Sequence, residues 1–289
     1  MNDLVFQMIA RHRPATPADH ITALREVLQE LALLGLWRNK FYEHAAFYGG
    51  TALRILHGLD RFSEDLDFSL LAPNPGFGMA RCTAAIETEL RAFGFDVRAD
   101  EKPHATRRSS IHSAFLKANT LRALVSINSP DAITRTIHRD QILTIRIEID
   151  TDPPPAFETD VRYMLSPIPF AVRVYALPDV FAGKMHALLC RRWKTRVKGR
   201  DWYDLVWFAA HHPELHLAHL EARMVQSGHW PKGQALDETE WRTLMDRAID
   251  TLNLDQARVD VLPFVQDPDA LALWSRPFFH DVARRIIIV

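Results

Sequence analysis

Asp65 and Asp67 stand two residues apart, with Leu66, Phe68 and Leu70 alternating around them. In a strand successive side chains point to opposite faces, so carboxylates at this spacing project to one side. Two like charges held that close repel unless a cation lies between them. An oxygen-only pair suits Mg²⁺, which takes one or two carboxylates together with substrate phosphates. Upstream, a strand-like run at 45–48 enters the turn Gly49-Gly50-Thr51. Such a turn can bring bare backbone N–H groups and a helix N-terminus up to phosphate. Together the parts read as a metal-dependent nucleotide site. The plainer alternative is two acids solvating a sheet face beside an ordinary turn.

Other segments carry charge of the kind such a site needs. Residues 141–150 alternate apolar and polar side chains and put Arg146, Glu148 and Asp150 on one strand face. Either acid could complete a second metal position or accept the proton of an attacking hydroxyl. Parity does not separate them. Lys184 lies in an apolar helical run with Val180, Phe181, Ala187 and Leu188, where an ammonium needs an anionic partner such as a triphosphate. Arg191, Arg192, Lys194, Arg196, Lys198 and Arg200 place six cations in ten residues with no acid among them. A charge run is commonly a solvated face, but in a chain of net charge −1 this one reads as a local patch for triphosphate, RNA or both. Asp201 opens the next helix, where a carboxylate can cap free N–H groups. Arg54, one helical turn past the glycines, could reach phosphate, and Arg61 and Ser63 precede the acid pair. If strand geometry extends that far, the Ser63 hydroxyl faces the same side as the acids. Trp193, Trp202 and Trp207 suit base stacking, although at helical spacing they read more readily as core.

Residues 47–70 resemble the nucleotidyltransferase superfamily signature, a Gly-Gly turn followed by Asp-x-Asp on a strand. Their wording, Gly-Gly-Thr-Ala-Leu-Arg at 49–54 and Arg-Phe-Ser-Glu-Asp-Leu-Asp-Phe at 61–68, is similar to the AbiEii/AbiGii group, the toxins of two-component toxin–antitoxin systems. A second phrase at 184–205 resembles the same group through Lys184, Thr195, Arg196, Lys198, Arg200, Asp201, Tyr203 and Asp204. The resemblance implies an α/β (α+β) fold, with a mixed-sheet nucleotidyltransferase domain at 1–170 and a helical domain at 171–289 completing the active site. It implies Mg²⁺ on Asp65, Asp67 and Glu148, the last favoured over Asp150 because relatives carry this acid inside the strand. Lys184 is then expected on the triphosphate. Gly49, Gly50, Thr51, Arg54, Ser63, Arg196, Lys198 and Arg200 are expected around the nucleotide. Asp201 becomes a site residue that holds Lys198 or Arg200, while Tyr203 and Asp204 read as structural. The implied reaction moves a nucleotide from a nucleoside triphosphate to RNA, with the tRNA 3′ end the leading acceptor, and the implied protein partner is a cognate antitoxin. Transfer to a small hydroxyl compound or a protein side chain, or a non-catalytic binder of nucleotide or RNA, are the competing readings.

The elements that must position these residues are legible in outline. A helix capped by Asp19 runs to about Leu36, with Ile21, Leu24, Leu28, Leu31 and Leu34 at helical spacing. A strand, the glycine turn, a short helix at 51–56 and the acid strand follow. A further helix is expected at 79–93, and strands at 95–101 and 111–116 with a basic turn between them. After Pro178 the pattern turns helical, at 178–192, 200–211, 214–226, 237–252 and 254–263. The 289 residues, 47% hydrophobic and 25% charged, suit a globular protein with an ample core. Cys82 and Cys190 read as buried thiols of a reducing compartment, and no Cys/His arrangement at metal-ligand spacing stands out among fourteen histidines. The opening residues do not read as a signal peptide, and Ile286–Val289 is too short to span a membrane. The expected compartment is the cytoplasm.

Overall fold

The computed structural model describes residues 2–102, 110–127, 129–191 and 197–289. Helix α1 (Asn2–Ala10) precedes α2 (Pro17–Arg38), whose start is set by a reciprocal cap. The Thr16 hydroxyl accepts from the Asp19 N–H at 3.2 Å, and the Asp19 carboxylate accepts from the Thr16 N–H at 2.8 Å. The cap is therefore Thr16, with Asp19 three residues inside the helix. Leu24, Leu28 and Leu31 of α2 are fully buried. Next come β1 (Ala45–Tyr48), α3 (Gly49–His57), β2 (Leu66–Leu70), α4 (Ala80–Ala92), β3 (Val97–Lys102) and β4 (Ile111–Asn119). Two short helices, α5 (Thr120–Ser126) and α6 (Asp131–Thr134), lead to β5 (Ile142–Asp150), β6 (Thr159–Met164) and β7 (Phe170–Tyr175).

The strands form one mixed sheet in the order β3-β4-β5-β2-β1-β7-β6. β2 is central, antiparallel to β1 and parallel to β5. Along β5 the alternation separates two faces. Leu143, Ile145, Ile147 and Ile149 are buried, and α2 packs against this strand. Arg146, Glu148 and Asp150 occupy the other, half-exposed face. Phe68 of β2 anchors the core with its ring 5.2 Å from Phe41 and 5.1 Å from Phe47, a packing whose loss in Phe68→Ala costs about 3–5 kcal/mol. Sequence patterning misses β6 and β7. β6 is an edge strand, exposed or half-exposed except at Met164, so it carries no apolar alternation. β7 has one, but Pro167, Pro169 and Pro178 around it read as a linker.

The chain divides into two compact units, one of residues 1–52, 64–153 and 161–174, the other of residues 53–63, 154–160 and 175–289. The second unit contains α7 (Leu177–Cys190), α8 (Gly199–His211), β8 (Glu214–Leu215), α9 (Leu217–Gln226), α10 (Glu238–Asp250), α11 (Leu254–Val261), α12 (Arg276–Arg284) and β9 (Ile287–Ile288). Phe181 of α7 stacks on Phe208 of α8 at 4.3 Å, and Trp202 of α8 meets Phe279 of α12 at 5.0 Å. Trp202 and Trp207 are buried here as core. The closing isoleucines pair in parallel with Glu214–Leu215. Among the described residues no helix is long and apolar enough to cross a membrane.

Candidate active site

Two strand registers build the acid face of the first unit. Asp67 of β2 lies opposite Glu148 of β5, and Ser69 lies opposite Asp150. Directly opposed residues of neighbouring strands project to the same face, so the Asp67 and Glu148 side chains leave the sheet from adjacent positions. Ser113 of β4 is the partner of Glu148 on its other side, and its hydroxyl donates to Glu148 Oε1 at 3.3 Å. Arg146, on the same strand face, holds that oxygen at 2.5 Å. Asp150 accepts from the Asp152 N–H at 3.0 Å, the turn role open to an acid at a strand end. Register thus separates the two acids that parity leaves equivalent, and Glu148 is the neighbour of Asp67.

The glycine turn packs directly on this face. Tyr48 is the β1 partner of Asp67, and α3 begins at the next residue. Gly49 has φ of +83°, and a Cβ there would run into the Asp67 carboxylate and come within 3.0 Å of Asp67 Cβ and Cγ. Only glycine satisfies both conditions. Gly50 is buried beside it. The first-turn N–H groups of α3, which have no intrahelical acceptor, therefore begin next to an acid. Thr51 is fully buried and its hydroxyl donates to the Asp65 carbonyl oxygen. It ties α3 to the segment entering β2. Asp65 itself precedes β2 by one residue, and 62–65 is irregular. Strand alternation therefore does not place the side chains of Asp65 and Ser63, contrary to the expectation from sequence.

In the second unit the anionic partner of Lys184 proves to be a side chain. Lys184 Nζ of α7 lies 2.8 Å from Asp204 Oδ2 of α8. Arg61 donates from Nε and Nη2 to the two oxygens of the same carboxylate at 2.6 and 2.7 Å. Asp204 is 0% and Arg61 3% exposed. Burial by itself raises the Asp204 carboxyl, but Arg61 and Lys184 outweigh it and hold the group at about 2. Arg61 is thus a buried strut and not an exposed site residue. Two cations on one carboxylate leave the group net positive, and Lys184 keeps 14% of its side chain exposed. Beside it, the Tyr203 hydroxyl donates to Asp60 Oδ1 at 2.8 Å. Asp204 is a hub that sequence reasoning underrated. The available signal was a lone acid among Leu205, Trp207 and Phe208 on an apolar helix face.

The remaining cations divide. Burial lowers the Lys198 ammonium, Asp201 opposes that shift, and Arg191, Lys184 and Arg200 add to it. These groups therefore form one electrostatic cluster, with Asp201 buried in the first turn of α8. Arg200 lies over the Phe264 ring at 4.1 Å. Arg54 donates to the Leu59 carbonyl at 3.2 Å and lies over the Phe62 ring at 4.9 Å. Both guanidinium groups are engaged within their own unit. Arg192, Trp193, Lys194, Thr195 and Arg196 lie outside the described residues.

A mixed sheet with acids in register on adjacent central strands, followed by helices, defines a nucleotidyltransferase-type fold. Among solved structures the chain is similar to JHP933 from Helicobacter pylori, with a TM-score of 0.51 and 18% identity over 91% of this chain and 90% of that one. It is also similar to a proposed nucleotidyltransferase of H. pylori, with a TM-score of 0.48 and 17% identity over 90% of this chain and 91% of the other. No curated protein matches. The model of the nucleotidyl transferase AbiEii toxins of type IV toxin–antitoxin systems matches residues 31–278. The chain belongs to that family and is a nucleotidyltransferase. A type IV toxin family implies an antitoxin as partner.

Proposed function

We propose that this protein is a Mg²⁺-dependent cytoplasmic toxin that transfers a nucleotide from a nucleoside triphosphate to an RNA hydroxyl, the tRNA 3′ end being the leading acceptor. The observation that carries this reading is the register of Asp67 with Glu148, together with Gly49 packed on Asp67. The donors on this face are oxygens, which fits a hard cation and not a softer metal. Asp65 and Asp67 would hold the ion, and Glu148 would complete the set. A bound Mg²⁺ supplies Lewis acidity at the phosphoryl group and neutralises its developing charge. The acceptor hydroxyl attacks the α-phosphorus, the bond to the β-phosphate oxygen breaks, pyrophosphate leaves, and the hydroxyl proton passes to Glu148. Backbone N–H groups at Gly49 and Gly50 face the triphosphate. Lys184, Arg196, Lys198 and Arg200 offset phosphate charge, with Asp204 holding Lys184 at 2.8 Å and Asp201 serving Lys198 or Arg200.

The test is incubation with each labelled nucleoside triphosphate, Mg²⁺ and total RNA, with Asp67→Asn as control. Label in tRNA, absent from the control, is the expected result. Label in protein or in a small compound would move the acceptor to that class. Absence of label with every nucleotide would overturn the reading. Co-expression of the neighbouring antitoxin should remove the growth defect that the toxin alone causes.

A further inference from the structure

Helix α7 ends on a group of metal-ligating side chains that nucleotidyl transfer does not use. His186 and Cys190 are one helical turn apart, so they share a face of α7. α9 packs against α7 and ends in a turn at Ser227-Gly228. Gly228 has φ of +75°, which favours glycine. Its N–H donates to the Val225 carbonyl at 3.1 Å, and the His229 N–H donates to the Met224 carbonyl at 2.8 Å. The turn thereby folds His229 back toward α7. The Ser227 hydroxyl lies between the two rings, 2.8 Å from His186 Nε2 and 2.9 Å from His229 Nδ1. One ring nitrogen of each histidine and the Cys190 sulfur lie within 4.8 Å of one another.

We propose that His186, Cys190 and His229 form a binding site for a zinc-type transition-metal ion, with water or Ser227 in the fourth position. Two imidazoles and a thiolate are a borderline-soft donor set, which suits Zn²⁺ and excludes Mg²⁺ or Ca²⁺. Zinc takes nitrogen at about 2.0–2.1 Å and thiolate sulfur at about 2.3 Å in a tetrahedron. Binding breaks the Cys190 S–H bond, the proton goes to solvent, and the sulfur lone pair goes to the metal, with no change of oxidation state. Arg191 and Arg223 weigh against a bare dication and favour one whose charge a thiolate partly cancels. The sequence hides this set because its third ligand comes from the turn after α9. Cys190 is the last residue of α7 and Arg191 follows it, so an ion here fixes the helix end from which the cationic stretch 191–200 departs.

The test uses the full chain, reduced and stripped with a chelator, titrated with Co²⁺ as a spectroscopic stand-in and then with Zn²⁺. One Co²⁺ per chain, a thiolate-to-cobalt charge-transfer band and its loss on adding Zn²⁺ are expected. Cys190→Ser should abolish the band. His229→Ala, which changes an exposed ring, should weaken binding at least tenfold and decides the matter if Cys190→Ser does not fold. His280→Ala, whose ring is held by Asp246 and Asp250, should bind as the wild type does. Absence of the band in the wild type, or equal Co²⁺ affinity in His229→Ala, would overturn the proposal.

Discussion

Asp204 and Asp67 both stand among apolar neighbours, and the chain treats them in opposite ways. Asp204 is fully buried and receives Arg61 through two hydrogen bonds and Lys184 through a third contact. Asp67 is half-exposed and shares its sheet face with a second acid in register. The first arrangement answers every charge inside the fold. The second places two acids in register on a half-exposed face, where Arg146 lies 2.5 Å from Glu148. The same residue type thus serves a fully buried ion-pair hub and a half-exposed sheet face, and depth of burial separates the two.

The largest expected effect breaks the buried side of this contrast. Asp204→Ala leaves Arg61 and Lys184 facing each other without their carboxylate, and should cost about 3–5 kcal/mol of stability in urea unfolding. If it instead unfolds like the wild type while losing transfer, Asp204 belongs to the chemistry and the division fails. Next, Asp67→Asn should lower transfer by about 10²–10³-fold, while its thermal midpoint holds or rises because repulsion with Glu148 falls. A large drop in that midpoint would make Asp67 a structural residue. A sharper cut comes within the acid face. Glu148→Gln should slow single-turnover transfer by about 10²-fold, well beyond Asp150→Asn, and the reverse ranking would move the role to Asp150. The smallest effect is on pH dependence. Asp204 is held at about 2, below its ordinary 3.8, so its contribution is present above 3.8 and fades as pH falls toward 2. Urea midpoints measured through that window should fall in the wild type and stay flatter in Asp204→Asn.

The local chemistry was legible wherever one segment carries it. The alternation of 141–150 gave β5, while the Gly49-Gly50 pair opens α3 and only Asp67 of the acid pair lies within β2. Pairing between segments was not legible. That Asp67 lies opposite Glu148 and Ser69 opposite Asp150 follows from the β2–β5 register, which no single-strand pattern contains. The partner of Lys184 follows from the packing of α7 on α8. β6 escaped notice because an exposed edge strand leaves no apolar signal. The Thr51 hydroxyl and the Arg54 guanidinium donate to backbone carbonyls of their own neighbourhood, contacts that a motif alone cannot register.

The carboxylate that holds Arg61 lies 143 residues further along the chain. During synthesis the guanidinium therefore emerges into water and stays there until the ribosome has passed the middle of α8. The second unit draws on residues 53–63, 154–160 and 175–289, so it cannot be completed before the last of these is made, and closing so long a span carries an entropic cost. A message cut short before codon 204 yields a chain whose Arg61 and Lys184 never meet their counter-ion. A nucleotidyltransferase of this toxin family thus completes its buried ion-pair hub only late in translation.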